Sequence, residues 1–384
     1  MLKRDQMKIA LIGTTAGCVL GFRIDLIKLL VAEGHKVYAF ALDYDEESIK
    51  KVKAIGAIPV QYKFNRSGLN PINDLLNTYR LSRQLRQIRA DISFSYFAKP
   101  VIFGSLAAVL AGVKRRIAML EGLGYVFTNQ PEGEAGKTRF LRKIQIFLYR
   151  LSFPFLERII FLNHDDPVDL IDKNRLHVKQ ISVLGGIGLD LNSYPFSAPS
   201  ISPVSFIFIG RLLKEKGVYD YLSAAKLVKQ KYPDITFYLL GGVDTENPGA
   251  ISLDNINQLV SEGIITYPGH VNNVSEWLSS ASVFVLPSYR EGVPRSTQEA
   301  MAIGRPIITT DVPGCRETVI DGRNGFLVAP WSPDELAQKM IYFIENPEKI
   351  LEMGMQSYQI AQSHFDAVKV NEKLLSFFRE TNHA

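Results

Sequence analysis

Short apolar segments alternate along this chain with longer segments of helical character. In the first half, the segments predicted as strands are 8–12, 36–42, 159–162 and 181–184. In the second half they are 206–209, 238–242, 264–267, 283–286 and 306–309. Helices are predicted between them, for example at 22–33. Buried strands connected through helices form parallel sheets with helices on both faces, so the predicted fold class is α/β with doubly wound sheets.

The sequence also indicates more than one domain. The chain has 384 residues, and 46% hydrophobic with 22% charged residues is ordinary for a globular protein that buries sizeable cores. The segment 192–203 is rich in Ser and Pro and has no periodicity, which is typical of a linker. We therefore predict a first domain at 1–195 and a second domain that begins at 204.

Cysteine content and hydropathy bear on the cellular compartment. Cys18 and Cys315 have neither metal-site nor disulfide spacing, which favours a reduced cytoplasmic setting. The longest mainly apolar run, 100–113, has fourteen residues, whereas a membrane-spanning helix needs about 20. The N-terminus shows no apolar signal region. We expect a cytoplasmic protein without a membrane-spanning helix.

Positive charge is concentrated in the first half of the chain. Residues 1–195 contain 28 Lys and Arg against 18 Asp and Glu, net +10, whereas residues 196–384 contain 16 against 21, net −5. This asymmetry predicts that the first half faces an anionic partner. No recognised nucleic-acid motif is present, so nucleic acid is not the expected partner.

Two segments combine this positive charge with apolar residues. Arg80, Arg83, Arg86 and Arg89 alternate with Leu81, Leu85 and Ile88. In a helix predicted at 137–151, one face carries Phe140, Ile144, Phe147, Leu148 and Leu151, and the other side carries Arg139, Arg142, Lys143 and Arg150. Such helices can lie in an anionic membrane surface, here the inner face of the cytoplasmic membrane. The alternative is a helix that packs on the core and leaves a solvated basic face.

Two carboxylates eight residues apart, Glu291 and Glu299, follow the predicted strand 283–286. A helix is predicted to begin at 295 or 296 and to end at Gly304, because glycine suits a helix C-terminus. A carboxylate accepts two hydrogen bonds from a vicinal diol, so Glu299 suits a ribose and Glu291 suits the hydroxyls of a transferred sugar. Phosphate is favoured by backbone donors at the open helix end, which belong to Val293, Arg295 and Ser296.

The run Glu-Gly-x-Pro followed by Glu-Ala-Met-Ala-x-Gly-x-Pro resembles the donor-site signature of glycosyltransferase family 4, the retaining enzymes of the GT-B fold. Gly210-Arg211 and Lys216-Gly217, after the strand at 206–209, are similar to a second element of that family. The resemblance implies two Rossmann-like, doubly wound domains facing a cleft. It places nucleotide-sugar binding at 204–361 and acceptor binding in the first domain. It also implies that 362–384 is a terminal helix crossing back to the first domain.

The same resemblance implies roles for individual residues. Arg211 and Lys216 would clamp the donor diphosphate and neutralise the charge that grows as the nucleotide leaves. The expected donor-binding residues are Gly17, Gly210, Arg211, Lys216, Val271, Glu291, Gly292, Val293, Arg295, Ser296 and Glu299. The expected catalytic residues are Arg211, Lys216, Glu291 and Glu121. The expected donor is a UDP-hexose.

Glu121 lies where the chain departs from the broad family pattern, since many members have His-Gly in place of Glu121-Gly122. The variant Glu-Gly-Leu-Gly resembles bacterial enzymes that add N-acetylgalactosamine or a related hexose to a polyprenyl-diphosphate-linked sugar in surface-glycan assembly. It implies a lipid-linked saccharide as acceptor. Two roles are open for Glu121: accepting a hydroxyl of donor or acceptor, or holding the Gly-rich loop.

Two other classes of protein compete with this interpretation. Gly13 to Gly17 after the first strand, with Asp43 after the second, superficially suggest a dinucleotide site, but the GxGxxG spacing is absent. The second competitor is a membrane-binding scaffold without activity, against which the intact donor-site residues argue. Cationic side chains can take the place of a metal at a diphosphate, so we expect no metal and no other cofactor.

Overall fold

Parallel strands joined through helices make up both halves of the chain. The computed structural model describes residues 6–65, 70–131, 133–244, 247 and 249–380. The strands of the first half are β1 Lys8–Ile12, β2 Lys36–Ala41, β3 Ile58–Gln61, β4 Ile92–Tyr96, β5 Arg115–Leu120, β6 Arg158–Phe161 and β7 Ile181–Val183. They form one seven-stranded parallel sheet in the order β3-β2-β1-β4-β5-β6-β7.

Helices cover both faces of this first sheet. They are α1 Ala16–Phe22, α2 Ile24–Ala32, α3 Glu46–Ala54, α4 Pro71–Ile88, α5 Ser105–Ala111, α6 Gly136–Ser152 and α7 Asp165–Pro167. A π-helix, Pro100–Gly104, leads into α5. Since crossovers between parallel strands are right-handed, α1 to α3 lie on one face and α4 to α6 on the other.

The second half contains a smaller sheet of the same kind. Its strands are β8 Ser205–Ile209, β9 Thr236–Leu240, β10 Thr266–Gly269, β11 Val283–Leu286, β12 Ile307–Thr310 and β13 Gly325–Val328. They form a six-stranded parallel sheet in the order β10-β9-β8-β11-β12-β13. The helices of the second half of the chain are α8 Val218–Lys231, α9 Leu253–Ser261, α10 Val274–Ser280, α11 Arg295–Ile303, α12 Pro333–Glu345, α13 Glu348–His364 and α14 Ala367–Arg379. The strand order reverses at β8, and ligands of such sheets bind beyond the carboxyl ends of the strands at this point.

The central strands owe their apolar sequences to burial on both faces. All residues of β8 and of β11 are buried. A strand with helices on each side needs apolar side chains at every position instead of alternating ones. The apolar runs that predicted these strands therefore reflect their central place in the sheet.

The described residues divide into two compact units. The first contains the residues up to 123, 135–184 and those from 371 onward, and the second contains 124–134 and 185–370. Within the first unit, the ring of Phe378 at the end of α14 lies 5.2 Å from that of Phe94, centroid to centroid. Arg158 forms an ion pair with Glu380 in the same unit. The domain limits 1–195, 204–361 and 362–384 stay predictions.

The predicted strands are confirmed to within two residues. The strand predicted at 264–267 begins two residues later, because the N–H of Ile264 bonds to the carbonyl of Leu259 and closes α9. The helix predicted at 22–33 is confirmed as α2 Ile24–Ala32, and a separate helix that was not predicted, α1, precedes it. At Arg23 the backbone has φ −126° and ψ 1°, which is outside helical geometry.

Helix α6 confirms the helix predicted at 137–151, and part of its apolar face is exposed, whereas Ile144 and Leu148 are half-buried. Phe140 and Phe147 are 64% and 56% exposed, and Leu151 is exposed as well. The side chains that α6 buries are Tyr149 and Ser152. Among the described residues, no helix combines the length and hydropathy that crossing a membrane requires.

Candidate active site

The candidate site is built on two neighbouring strands of the second unit. Strands β8 and β11 are paired in parallel, with Phe206 opposite Val283. Their carboxyl ends therefore lie at the same edge of the sheet. Gly210 and Arg211 follow β8, and the loop that carries Glu291 follows β11. Arg211 is exposed at this edge.

Lys216 and Glu291, which the sequence assigned to different parts of a donor, are direct partners. Lys216 ends the 3-10 turn Lys214–Lys216, and its ammonium forms an ion pair with Glu291 Oε1. The hydroxyl of Ser288 donates to the same oxygen at 2.8 Å. Both charged side chains are largely buried, 20% and 10% exposed. An ammonium has three donors, so the ion pair orients Lys216 while leaving N–H groups that can meet a phosphate.

Two glycines allow the loops of the site to approach one another. Gly217 has φ 71°, and a Cβ there would lie 1.9 Å from the carbonyl oxygen of Pro287. Gly314 has φ 81°, and a Cβ there would lie 2.2 Å from the carbonyl oxygen of Glu291. Both positions need the left-handed backbone that glycine adopts without strain, and neither has space for a side chain.

Glu299 lies in α11, as predicted, and is held by two donors. The helix starts at Arg295 after Pro294 and ends at Gly304, which has left-handed geometry. Glu299 Oε1 accepts hydrogen bonds from Arg295 Nε at 2.9 Å and from Tyr194 Oη at 2.8 Å. These bonds engage one carboxylate oxygen and fix the orientation of the other.

Tyr194 is a member of the site that the sequence did not reveal. It belongs to the segment predicted as a linker, 105 residues before its partner Glu299. Burial, and secondarily the neighbouring Glu299 carboxylate, raise the pKa of the Tyr194 phenol well above its ordinary value. The phenol therefore stays protonated and donates to Glu299.

The loop that carries Val271, one of the expected donor-binding residues, lies after β10, two strands from β8. Val271 is half-buried in this loop. Tyr267 Oη donates to the carbonyl of Gly241 at 3.0 Å, and the Gly241 N–H donates to the carbonyl of Gly269 at 3.0 Å. These bonds tie the loop to the end of β9, and hence to the edge that carries Gly210.

Arg290 is a second residue that sequence reasoning missed. It precedes Glu291 in the loop after β11, and its Nη1 donates to the carbonyl of Phe127 at 3.3 Å. Phe127 belongs to 124–134, which forms part of the second unit. Nothing in the local sequence pairs these two segments, which are 163 residues apart.

Comparison with known proteins identifies this arrangement. A family model described as glycosyl transferases group 1 matches residues 203–346, which include both strand ends and α11. The chain is a glycosyltransferase. Over 96% of both chains it is 29% identical to the N,N'-diacetylbacillosaminyl-diphospho-undecaprenol alpha-1,3-N-acetylgalactosaminyltransferase of Campylobacter jejuni. It is 26% identical, over 69% of this chain and 68% of the other, to the UDP-Gal:alpha-D-GlcNAc-diphosphoundecaprenol alpha-1,3-galactosyltransferase of Escherichia coli.

Solved structures confirm the predicted fold of this glycosyltransferase. Anabaena HepE in complex with UDP matches with a TM-score of 0.77 at 18% identity, over 97% of this chain and 100% of that one. A sucrose-phosphate synthase from Thermosynechococcus elongatus matches with a TM-score of 0.75 at 17% identity, over 97% of this chain and 98% of that one. Together with the two doubly wound parallel sheets, these matches confirm the GT-B fold.

In the first unit of the glycosyltransferase, Glu121 is buried at the end of β5 and forms an ion pair with Arg23. Burial raises the pKa of Glu121, and the Arg23 guanidinium opposes that rise. Arg23 also lies over the ring of Tyr96, 4.5 Å from its centroid, and donates to the carbonyl of Phe22. This geometry supports the loop-holding alternative for Glu121, and a catalytic role stays a prediction.

Gly17 also lies in the first unit, at the second position of α1, and is exposed. The preceding residue, Ala16, donates its N–H to Asp43 Oδ1 at 2.7 Å. Asp43 therefore fixes the first turn of α1. The contact expected between Gly17 and a donor stays a prediction.

An Asp-x-Asp sequence, Asp43 to Asp45, lies at the end of β2, but both carboxylates cap helices. Asp43 caps α1 as described, and Asp45 accepts the N–H of Ser48 at 2.8 Å at the start of α3. Within the described ranges, no three His, Cys, Asp or Glu side chains cluster so as to hold a metal ion. Metal independence of the glycosyltransferase stays a prediction for the assay below.

Proposed function

We propose that this glycosyltransferase moves a hexose, an N-acetylhexosamine such as GalNAc, from a UDP-sugar to a polyprenyl-diphosphate-linked saccharide. The observation that carries the proposal is the similarity to the Campylobacter jejuni N-acetylgalactosaminyltransferase, which extends over 96% of both chains. The Escherichia coli relative is likewise named for a diphosphoundecaprenol-linked substrate. The product would enter the assembly of O-antigen, capsule or a glycoprotein glycan.

The donor would bind along the edge formed by β8 and β11. Glu299, oriented by Tyr194 and Arg295, would accept the ribose hydroxyls through its second oxygen. Arg211, Lys216 and the amides at the start of α11 would meet the diphosphate. Glu291, which Lys216 and Ser288 hold in place, would contact the hydroxyls of the transferred sugar.

The reaction would retain the anomeric configuration through a front-face displacement. The bond between the anomeric carbon and the β-phosphate oxygen breaks, and the acceptor oxygen bonds to the same face of that carbon. The departing phosphate oxygen takes the proton of the acceptor hydroxyl. Arg211 and Lys216 stabilise the negative charge that develops on the leaving UDP, which is where fixed cations lower the barrier.

The acceptor chemistry would place the enzyme on the inner face of the cytoplasmic membrane. Helix α6 exposes Phe140 and Phe147 together with Arg139, Lys143 and Arg150, and residues 136–152 contain no acid. A helix with exposed apolar and basic residues is suited to an anionic lipid surface. Peripheral binding through α6 would hold the enzyme where a lipid-linked acceptor resides.

A panel of UDP-sugars tests the proposed function. UDP release is measured with each sugar in the presence of a polyprenyl-diphosphate disaccharide, and the product is analysed for its anomeric configuration. We expect release above background with a UDP-N-acetylhexosamine and an α-linked product. Transfer only to a soluble or lipopolysaccharide-core acceptor would replace the acceptor in this proposal. Absence of transfer with every donor and acceptor would support the alternative of a membrane-binding scaffold without activity.

The variant Glu299→Ala is expected to weaken UDP binding by about 10- to 100-fold, because hydrogen bonds to a charged group contribute about 1.5–3 kcal/mol. Ribose contacts exist in both the ground and the transition state, so KM for the donor should rise while kcat changes little. Calorimetry with UDP and steady-state kinetics give the two values. Glu352→Ala, an exposed change on α13, is the control. Unchanged UDP affinity in Glu299→Ala would remove the ribose role.

Tyr194→Phe is expected to reproduce a fraction of that effect, about three- to tenfold in UDP affinity. The change removes only the hydroxyl that donates to Glu299, and one net hydrogen bond contributes about 0.5–1.5 kcal/mol. In the background of Glu299→Ala the same change should have no further effect on UDP affinity. Additive effects of the two variants in calorimetry would show that Tyr194 does not act through Glu299.

Activity is expected to survive a strong chelator, since Arg211, Lys216 and backbone donors would neutralise the diphosphate. The measurement is the transfer rate after dialysis against EDTA, with and without added magnesium or manganese. Loss of activity with EDTA and recovery with either ion would demonstrate a metal at the diphosphate.

A further inference from the structure

Helix α4 exposes a row of large apolar side chains to solvent. Ile72 and Leu75 are 80% and 67% exposed, and Leu76 and Tyr79 are exposed too. Their spacing of three and four residues places all four on one side of the helix. The sequence had singled out Leu81 and Leu85 of this helix, but both are buried.

Charge on the outer side of α4 is separated from this row along the helix axis. The exposed apolar residues occupy its N-terminal half, and the C-terminal half exposes Arg80, Arg83 and Arg86. The one acid of the helix, Asp74, is buried and paired with Lys99 at 3.0 Å. The outer side therefore has an apolar end followed by a basic end, without an opposing charge.

The dimensions of this arrangement match the depth profile of a bilayer surface. Leu75 and Arg83 are eight residues apart, which is about 12 Å along a helix. Peripheral helices bury their apolar faces about 5–10 Å into the boundary between headgroups and acyl chains. A helix entering with its N-terminal end would put Leu75 among acyl chains while Arg83 stays with the phosphates.

Helix α4 is also placed to act together with α6. Both helices cover the same face of the first sheet, and both pack against the π-helix Pro100–Gly104. In α6 the exposed apolar and basic residues run side by side along the helix, which suits a helix lying flat in the surface. In α4 they follow one another along the axis, which suits a helix that points into it.

We infer that α4 inserts its N-terminal half into an anionic bilayer and that its arginines form a collar at the headgroups. The inference rests on the proposed function, because a lipid-linked acceptor explains why the enzyme needs this surface. A protein partner is less well matched, since an apolar patch followed by three arginines and no acid suits acyl chains beneath anionic headgroups. α4 would anchor the enzyme by apolar contact, and α6 by charge.

Vesicle binding of two matched variants tests the insertion. The first variant changes Ile72, Leu75 and Leu76 to Gln. The control variant changes three exposed apolar residues on helices of the second unit to Gln, namely Leu227, Leu253 and Val260. Flotation with vesicles of phosphatidylglycerol and phosphatidylethanolamine should show about 100-fold weaker binding for the first variant, also at high salt, and no change for the control.

Binding depth provides a second and independent measurement. Tryptophan is introduced at Leu75 in one variant and at Gln87 in another, about 18 Å further along α4. Brominated acyl chains should quench the fluorescence added at 75 strongly and that added at 87 weakly, after subtraction of the wild-type signal of Trp277 and Trp331. Equal quenching at both positions would overturn the insertion by one end.

Two further outcomes distinguish insertion of α4 from an interface between copies of the chain and from the proposed acceptor. If the α4 variant floats like the wild type but loses a dimer in light scattering, the row is an interface between copies and the inference is wrong. UDP affinity, measured on all variants, should stay at the wild-type value. If transfer to a lipid-linked acceptor fails while flotation still depends on α4, the proposed acceptor is wrong. The membrane contact of α4 is then retained.

Discussion

Replacing Arg211 by alanine is expected to lower kcat by about 100- to 1,000-fold while UDP affinity falls much less. Arg211 lies at the carboxyl end of β8, next to the strand whose loop carries Glu291. The charge on the diphosphate grows only as the bond to the sugar breaks, so a fixed cation there acts mainly on the transition state. Removing one such preorganised donor typically costs about 100- to 1,000-fold in kcat.

Steady-state kinetics on two further variants test whether the loss of kcat is specific to the guanidinium of Arg211. Arg211→Lys keeps the charge but loses the planar fork of the guanidinium, so we expect an intermediate kcat. Lys226→Ala removes an exposed cation from α8 of the same unit and should leave kcat unchanged. An equal loss of donor affinity and turnover in Arg211→Ala would mean that Arg211 binds the ground state as tightly as the transition state.

Changing Arg139, Arg142, Lys143 and Arg150 together to Gln is expected to weaken binding to anionic vesicles by about 1,000-fold at low salt. Each basic side chain near such a surface contributes about 1 kcal/mol, and 1.4 kcal/mol corresponds to a factor of ten. The effect should shrink as salt is added, since the surface potential falls off within a Debye length. Liposome co-sedimentation over a range of salt concentrations measures both.

The control for this variant removes the same charge from the second unit. Lys226, Lys231, Lys349 and Lys369 are changed to Gln. We expect this control to bind vesicles like the wild type, because α6 would supply the local field. Equal binding of the α6 variant and the wild type would show that the basic residues of α6 are solvated and make no membrane contact.

Local sequence was sufficient to predict the strand, loop and helix that carry Glu291 and Glu299. Strand β11 is confirmed at Val283–Leu286, and α11 starts at Arg295 and ends at Gly304 as predicted. The apolar run predicts a buried strand, and the glycine predicts a helix end because it adopts the left-handed backbone of the cap. Both effects depend only on residues a few positions away. The family signature depends on the same local pattern, so the glycosyltransferase assignment was also within reach of the sequence.

Pairings between distant segments could not be predicted in this way. Lys216 meets Glu291 only because β8 and β11 are neighbours in the sheet, although β9 and β10 separate them along the chain. The hydroxyl of Tyr194 reaches Glu299 across 105 residues, and nothing in the linker composition indicates it. Such contacts depend on strand order, which is a property of the tertiary fold.

Exposure was likewise decided by the tertiary structure. The sequence by itself determined the α/β class, the glycosyltransferase signature and the amphipathic pattern of α6, because periodicity and motif spacing are local. It left open which side of α6 faces solvent, and it singled out Leu81 of α4 where the exposed residues are Ile72 and Leu75. Periodicity shows that a helix has two faces, but only the packing of α4 and α6 on the sheet determines which face is covered.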